Sequence, residues 1–316
     1  MGDILGIHHV TAICGPAQEN LDFYVGVLGL RLVKLTVNFD DPSAYHLYYG
    51  DAVGSPGTIL TFFPYPEGHP GRPGAGQAST VHLSVPYGSV PFWIDRFTAH
   101  EIDFDRPQTI DGAERLRFRA PDGLQLELVA RRCHAAAVYW EGSPVPKQNA
   151  IGRIECVTLV ERKLGSTKSL LEDQLGYRPV GQTNGKQAFH LGDGGPESVL
   201  YVKEDPTGPS GRQGRGGIHH IAFRIANGEA QVDSRLELVK AGLNVSAVMD
   251  RKYFRSIYFR EPGGVLFEIA TDPPGFAVDE APDSLGHSLK LPPQYELFRG
   301  RIERTLPSLR LPTFLI

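Results

Sequence analysis

Two short stretches of the chain hold the residue types best suited to chemistry. Gly217-Ile218-His219-His220-Ile221-Ala222-Phe223 repeats, with few changes, Gly6-Ile7-His8-His9-Val10-Thr11-Ala12. Each sets a pair of imidazoles inside an apolar run of strand type. Two imidazoles and one carboxylate make the facial set that holds non-haem Fe(II) and leaves positions open for substrate and O2. Glu268, at the end of Gly263-Gly264-Val265-Leu266-Phe267-Glu268, is the candidate carboxylate.

The elements that must position these residues also repeat. Residues 5–12 read as a strand. A helical pattern opens at Pro16 with Leu21, Tyr24, Val25 and Leu28 on one face, and Gly29 stops it. Three strands follow, giving the order βαβββ. The order recurs from Thr80, from Ile154 and from Gly217; in the last copy a helix around Leu236, Leu238 and Val239 ends at Gly242. The equivalent first-strand positions His9, His82, Cys156 and His220 lie 73, 74 and 64 residues apart. A period this regular over four copies is the strongest organisational signal in the chain.

The copies fall into an N-terminal domain over 1–131 and a C-terminal domain over 151–272, with a tail at 273–316. Pro64 to Gly76 reads as a loop and Arg132 to Gly152 as the linker between halves; the tail is irregular apart from a helix between Pro292 and Arg304. One βαβββ copy leaves a sheet face bare, so copies must pair to bury it. The expected fold is α+β, four βαβββ modules paired into two curled-sheet barrels around shared cavities. Pairing within one chain and exchange between chains are both open, so a homo-oligomer is compatible.

Composition narrows the function. Hydrophobic content of 41% with 22% charged residues is ordinary for a globular protein, and a net charge of −4 offers nucleic acid no basic face. No apolar run is long enough for a bilayer, and no secretory signal pattern opens the chain. Cys14, Cys133 and Cys156 are too widely spaced for a disulfide framework or a zinc knuckle, which points to a reduced, cytoplasmic setting. No nucleophile elbow is present, and Cys156 in mid-strand reads as a small buried thiol.

In register, the last-strand positions hold Thr61, Glu127, Tyr201 and Glu268. Two pairings complete a ligand set: copies one and four give His9, His220 and Glu268, while copies one and two give His9, His82 and Glu127. Spacing alone does not choose between them. His82 by itself reads as a hydrogen-bonded core residue, and Tyr258 by itself as an ordinary strand residue. Regular strands would turn His8 and His219 to the face opposite their neighbours.

With these residues in view the chain resembles the vicinal-oxygen-chelate superfamily (glyoxalase, bleomycin resistance protein and extradiol dioxygenase). Within it, the likeness is to dioxygenases that cleave hydroquinone rings. The likeness runs through Leu5 to Thr11, Tyr45-His46-Leu47-Tyr48, Gly217 to Phe223, Asp250-Arg251-Lys252, Tyr258, and Pro262 to Glu268. It implies metal ligands at His9, His220 and Glu268, hence the one-with-four pairing. It implies pocket groups at His8, Thr11, His219 and Tyr258, and an arginine that is Arg251 or Arg255. The implied metal is Fe(II), with Mn(II) or Zn(II) as substitutes, and the implied partners are a small aromatic diol and O2. His82 and Glu127 would then form a second or vestigial site. The rival functions on this scaffold are a metal-dependent isomerase or lyase of the glyoxalase type and a non-catalytic small-molecule-binding protein.

Overall fold

The computed structural model describes residues 3–132, 137–192 and 198–312; Cys133 lies outside them. Module one is β1 (Ile4–Cys14), α1 (Ala17–Leu21), β2 (Arg31–Val37), β3 (Tyr45–Gly50) and β4 (Ile59–Pro64). Module two is β5 (Gln77–Pro86), α2 (Val90–Ala99), β6 (Gln108–Ile110), β7 (Ala113–Arg119) and β8 (Gln125–Arg131). Module three is β9 (Ile154–Glu161), α3 (Gly165–Asp173), β10 (Tyr177–Thr183), β11 (Lys186–Leu191) and β12 (Val199–Glu204). Module four is β13 (Ile218–Ile225), α4 (Gly228–Lys240), β14 (Met249–Asp250), β15 (Arg255–Arg260) and β16 (Leu266–Thr271). The expected α+β fold of four βαβββ modules is realised.

The modules join as two eight-stranded curled sheets. One runs β14-β15-β16-β13-β1-β4-β3-β2, pairing module one with module four. The other runs β10-β11-β12-β9-β5-β8-β7-β6, pairing module two with module three. Each half of the sequence therefore contributes one module to each sheet. In both sheets the seam is an antiparallel pair of first strands, β1 with β13 and β5 with β9. Both sheets are open, with β14 and β2 at the edges of one and β10 and β6 at the edges of the other.

Two helices depart from the pattern read in the sequence. The first continues past Leu21 as a π-helical turn over Asp22–Val27, with Leu28 N–H bonding to the Phe23 carbonyl at 3.0 Å. The wider turn brings the consecutive residues Phe23, Tyr24 and Val25 all under cover. In α4 the exposed apolar residues are Val232, Leu236 and Val239, and the buried face is Gln231, Ser234 and Leu238. Gln231 is tolerated inside because its Nε2 donates to the Arg255 and Ile269 carbonyls, at 2.8 and 2.7 Å.

The tail is less irregular in space than in sequence. After β16 it packs Phe276 and Leu285 among Val33, Tyr48, Tyr253 and Phe254, forming a small core against the first sheet. Buried Lys34 of β2 fixes it through ion pairs to Asp279, at 2.7 Å, and to Glu280. Gly286 has φ +79° and lies against the Leu32 carbonyl, where a Cβ would collide. Two short helices, α5 (Pro293–Glu296) and α6 (Arg299–Thr305), complete it within the region expected to be helical. Among the described residues, no helix is long and apolar enough to cross a membrane.

Candidate metal centre

The seam between β1 and β13 sets the geometry of the site. Alternation should place His8 opposite His9, but both strands are bulged. Ile7 pairs with Phe223 and His9 with Ala222, so His8 is an extra residue in β1. Thr11 pairs with His220 and Ala12 with Ile218, so His219 is the matching extra residue in β13. A bulge re-aims the side chain it inserts. His219 lines the same cavity as His220, contrary to the alternation expected for a regular strand. His8 Nδ1 lies 2.9 Å from His9 Nδ1, and His219 Nδ1 lies 2.8 Å from His220 Nδ1. Each inserted imidazole thus occupies the Nδ1 of its neighbour and leaves Nε2 of His9 and of His220 facing inward.

Those two Nε2 atoms meet the carboxylate of Glu268, which β16 brings beside β13. His220 Nε2 is 2.9 Å and His9 Nε2 is 3.4 Å from Glu268 Oε2, and the two nitrogens are 3.3 Å apart. Bonds of about 2.0–2.2 Å at octahedral or tetrahedral angles separate donor atoms by about 2.8–3.6 Å, so this triangle fits one metal ion. Among the described residues this is the one group of three or more His, Cys, Asp or Glu placed to hold a metal. All three side chains are buried. Glu268 Oε2 accepts no well-directed hydrogen bond, whereas Oε1 accepts from the Ser256 hydroxyl at 2.5 Å. A buried carboxylate oxygen without a donor is where a cation belongs. Burial disfavours the charge of Glu268, but His9 and His220 outweigh it and hold the carboxyl well below its usual range. Burial also lowers His220, against the pull of Glu268, and so favours the neutral form a ligand needs.

The triad sits in a cavity of about 390 Å³ lined by Ile13, Phe63, Phe254 and Leu266 and by several polar groups. Tyr258 and Arg251 lie on the module-four side, with Arg251 Nε 3.2 Å from the Tyr258 hydroxyl. The Arg251 guanidinium also pairs with Asp40 of the β2–β3 loop, at 3.0 Å, and so bridges module four to module one. Arg255, the other arginine that the resemblance allows, is exposed and lies beside Gly228 at the start of α4. Thr11 is fully buried, 2.9 Å from Thr61 Oγ1, and does not line the cavity. His8 is buried behind His9, against Phe254. Burial, reinforced by His220, pushes His219 down to about 3.

His82 and Glu127 meet in the other sheet, but arginine fills the metal's place. Glu127 receives His82 Nδ1 at 2.5 Å and Arg115 Nη1 at 2.9 Å on one oxygen, and Arg117 Nε at 2.8 Å on the other. His82 Nε2 is bonded to Thr158 Oγ1 at 2.9 Å. Burial opposes the charge on Glu127, yet His82 and Arg115 hold it far below its usual range. Every donor of the would-be site is already in use.

His46, Tyr48 and Asp40 also line the cavity, although no motif in the sequence marks them as site residues. His46 and Tyr48 alternate along β3, the signal that could have found them.

The pattern that defines the Glyoxalase/Bleomycin resistance protein/Dioxygenase superfamily matches this chain over residues 6–128 and 153–269. The chain belongs to that superfamily. Its two matches each cover two modules in sequence order, while the superfamily sheets here are built across them. A Bacillus subtilis (strain 168) relative, provisionally named ring-cleaving dioxygenase MhqO, is 44% identical over 302 residues, covering 96% of each chain. The chlorohydroquinone/hydroquinone 1,2-dioxygenase of Sphingobium indicum is 34% identical over 309 residues, covering 95% of each. The crystal structure of a provisionally named dioxygenase from Bacillus subtilis subsp. subtilis str. 168 superposes with a TM-score of 0.93 at 42% identity, over 99% of both chains.

Proposed function

We propose that this chain is a non-haem Fe(II) dioxygenase that opens the ring of a hydroquinone-type aromatic diol. The observation that carries the reading is the convergence of His9, His220 and Glu268 at a cavity walled by aromatic rings. The names of its relatives point to the same chemistry. Mn(II) or Zn(II) would suit the same donor types. A metal held there acidifies a phenol and supplies the site at which the diol and O2 are brought together.

The protein's own part is to hold, orient and exclude water. His8 and His219 fix the ring orientation of the two imidazole ligands through Nδ1. Phe63 and Phe254 receive the substrate ring and keep the cavity dry. With its Nδ1 accepting from the Nδ1–H of His220, neutral His219 carries its own proton on Nε2 and presents an N–H donor to a substrate oxygen. Arg251 holds the Tyr258 hydroxyl at the cavity wall, where it donates to a substrate oxygen. Thr11 ties the strand carrying His9 to Thr61 on β4.

Thr61 stands where a second carboxylate ligand would be needed for the isomerase or lyase reading, and its hydroxyl is spent on Thr11 and His46. A reducing, cytoplasmic setting suits Fe(II) and the free thiols of Cys14 and Cys156. The test is anaerobic metal analysis followed by oxygen uptake with hydroquinone and with catechol. Bound iron and uptake with hydroquinone support the reading. Bound zinc without uptake returns the function to the isomerase or lyase class.

A further inference from the structure

The cavity holds a second tyrosine that the metal-centred reading leaves without a task. Tyr48 of β3 and Tyr258 of β15 line the same space from opposite arms of the curled sheet. They are counterparts in the internal repeat. Tyr258 is the cross-strand partner of Glu268, and Tyr48 is the cross-strand partner of Thr61, the equivalent last-strand residue of module one. Two residues before each tyrosine stands a group that bonds to that partner. Ser256 serves Glu268, and His46 Nε2 lies 2.7 Å from Thr61 Oγ1.

Each tyrosine hydroxyl is also held by a side chain. For Tyr258 it is Arg251, and for Tyr48 it is His46 Nδ1, at 2.8 Å. His46 is gripped on both ring nitrogens and lies between the rings of Tyr48 and Phe63, with centroids 4.0 and 4.3 Å away. Beyond Thr61 the chain of hydrogen bonds continues to Thr11, the cross-strand partner of His220. One row of bonds across three strands therefore registers the Tyr48 hydroxyl against a residue of the metal triad. Tyr48 is 2% exposed, among the rings of Tyr253, Phe254 and Phe276. A hydroxyl can donate once and accept twice, so the bond to His46 leaves hydrogen-bonding capacity for a ligand in the cavity.

We infer that Tyr48 is a second oxygen-binding group of this site, with His46 as its positioning residue, and that the pair selects rings oxygenated at both ends over rings with one oxygen. The inference rests on the diol reading above. A ring held by one oxygen at the triad presents its far oxygen to the module-one arm. A site built to pair that oxygen discriminates against a ring lacking it, because the buried Tyr48 hydroxyl would be left without its ligand partner.

The experiment is anaerobic calorimetric titration of the metal-loaded full chain with hydroquinone and with phenol. The wild type should bind hydroquinone about tenfold more tightly, the size of one net hydrogen bond. Tyr48→Phe should weaken hydroquinone by about that factor, leave phenol unchanged and bring the ratio near one. Two variants separate positioning from support of the fold. His46→Asn places an amide near Nδ1 and should keep the preference. His46→Gln places one near Nε2, keeps the contact to Thr61 and should lose the preference. A ratio that Tyr48→Phe leaves untouched, equal weakening of both rings, or identical behaviour of the two His46 variants would each overturn the assignment. Oxygen uptake by the wild type reports separately on the diol reading. Uptake with an unmoved ratio in Tyr48→Phe sinks only the role of Tyr48, whereas neither binding nor uptake sinks both.

Discussion

Glu161, at the end of β9, and Glu261, in the turn leading to β16, are both buried and face each other where the two sheets meet. Gly263 leaves the space: a Cβ there would fall 1.7 Å from a Glu161 carboxylate oxygen. Thr167 of α3 donates to Glu261 at 2.7 Å and Val265 N–H donates to it at 2.9 Å. Burial first, and the charge of Glu261 second, push Glu161 up to about 8.

A raised carboxyl pKa means that the folded chain keeps a proton the unfolded chain releases. Stability from this pair is complete below about pH 4.5 and is lost as pH rises toward 8, through the folded value. Glu161→Gln holds a neutral group there at every pH. Between pH 5 and pH 9 the wild type should therefore lose about 1 kcal/mol or more of stability relative to the variant, since one pKa unit corresponds to about 1.4 kcal/mol. Urea unfolding midpoints of both proteins at the two pH values decide it. Parallel loss in both would mean that the pair is not the source.

Glu268 and Glu127 occupy equivalent strands but should fail differently. Glu268→Ala removes the proposed carboxylate ligand and should abolish metal retention and oxygen uptake. Glu127→Ala strips the buried Arg115 of its carboxylate partner, a defect of about 3–5 kcal/mol in stability. The protein that remains folded should keep its metal. Metal content per folded chain, read beside thermal unfolding, distinguishes the two, and metal lost only in the Glu127 variant would move the site to the other sheet.

Arg251 reaches both Tyr258 and Asp40 because a guanidinium offers donors along a rigid fork. Lysine cannot span the two, so Arg251→Lys should lower kcat/KM for hydroquinone by at least about tenfold despite the retained charge. Asp40 is largely exposed, and Asp40→Asn should change the rate little, by less than about threefold, with a salt-dependent remainder. Steady-state oxygen uptake at two ionic strengths makes the comparison. Equal losses would show that the ion pair, and not the hold on Tyr258, is what matters.

Lys34→Met tests the docking of the tail. It leaves Glu280 buried with the Ser288 hydroxyl at 3.3 Å and Lys290 no nearer than 3.9 Å, while Asp279 keeps Lys252. A cost of about 2–4 kcal/mol is expected, below that of a fully orphaned pair. Because Phe276 packs on the Tyr48 ring, with centroids 5.3 Å apart, loosening the tail should also weaken hydroquinone binding. Loss of stability with unaltered binding would separate the tail from the cavity.

The four-module repeat, the βαβββ order and the His-His echo were legible in sequence, because strand and turn preferences and residue spacing are local properties. So were the three donor types now found together, since a buried imidazole pair beside a carboxylate is chemically conspicuous. Which modules share a sheet was not: strand pairing is a long-range choice, and copies one and two offered an equally complete donor set. Tertiary structure also decided the aim of His8 and His219, because a bulge is a mismatch between two strands and is invisible in either alone. It gave Arg115 the place beside His82 and Glu127, and it put Tyr48 and Tyr258 in one cavity. Side chains far apart along the chain acquire these relations only when the sheets curl.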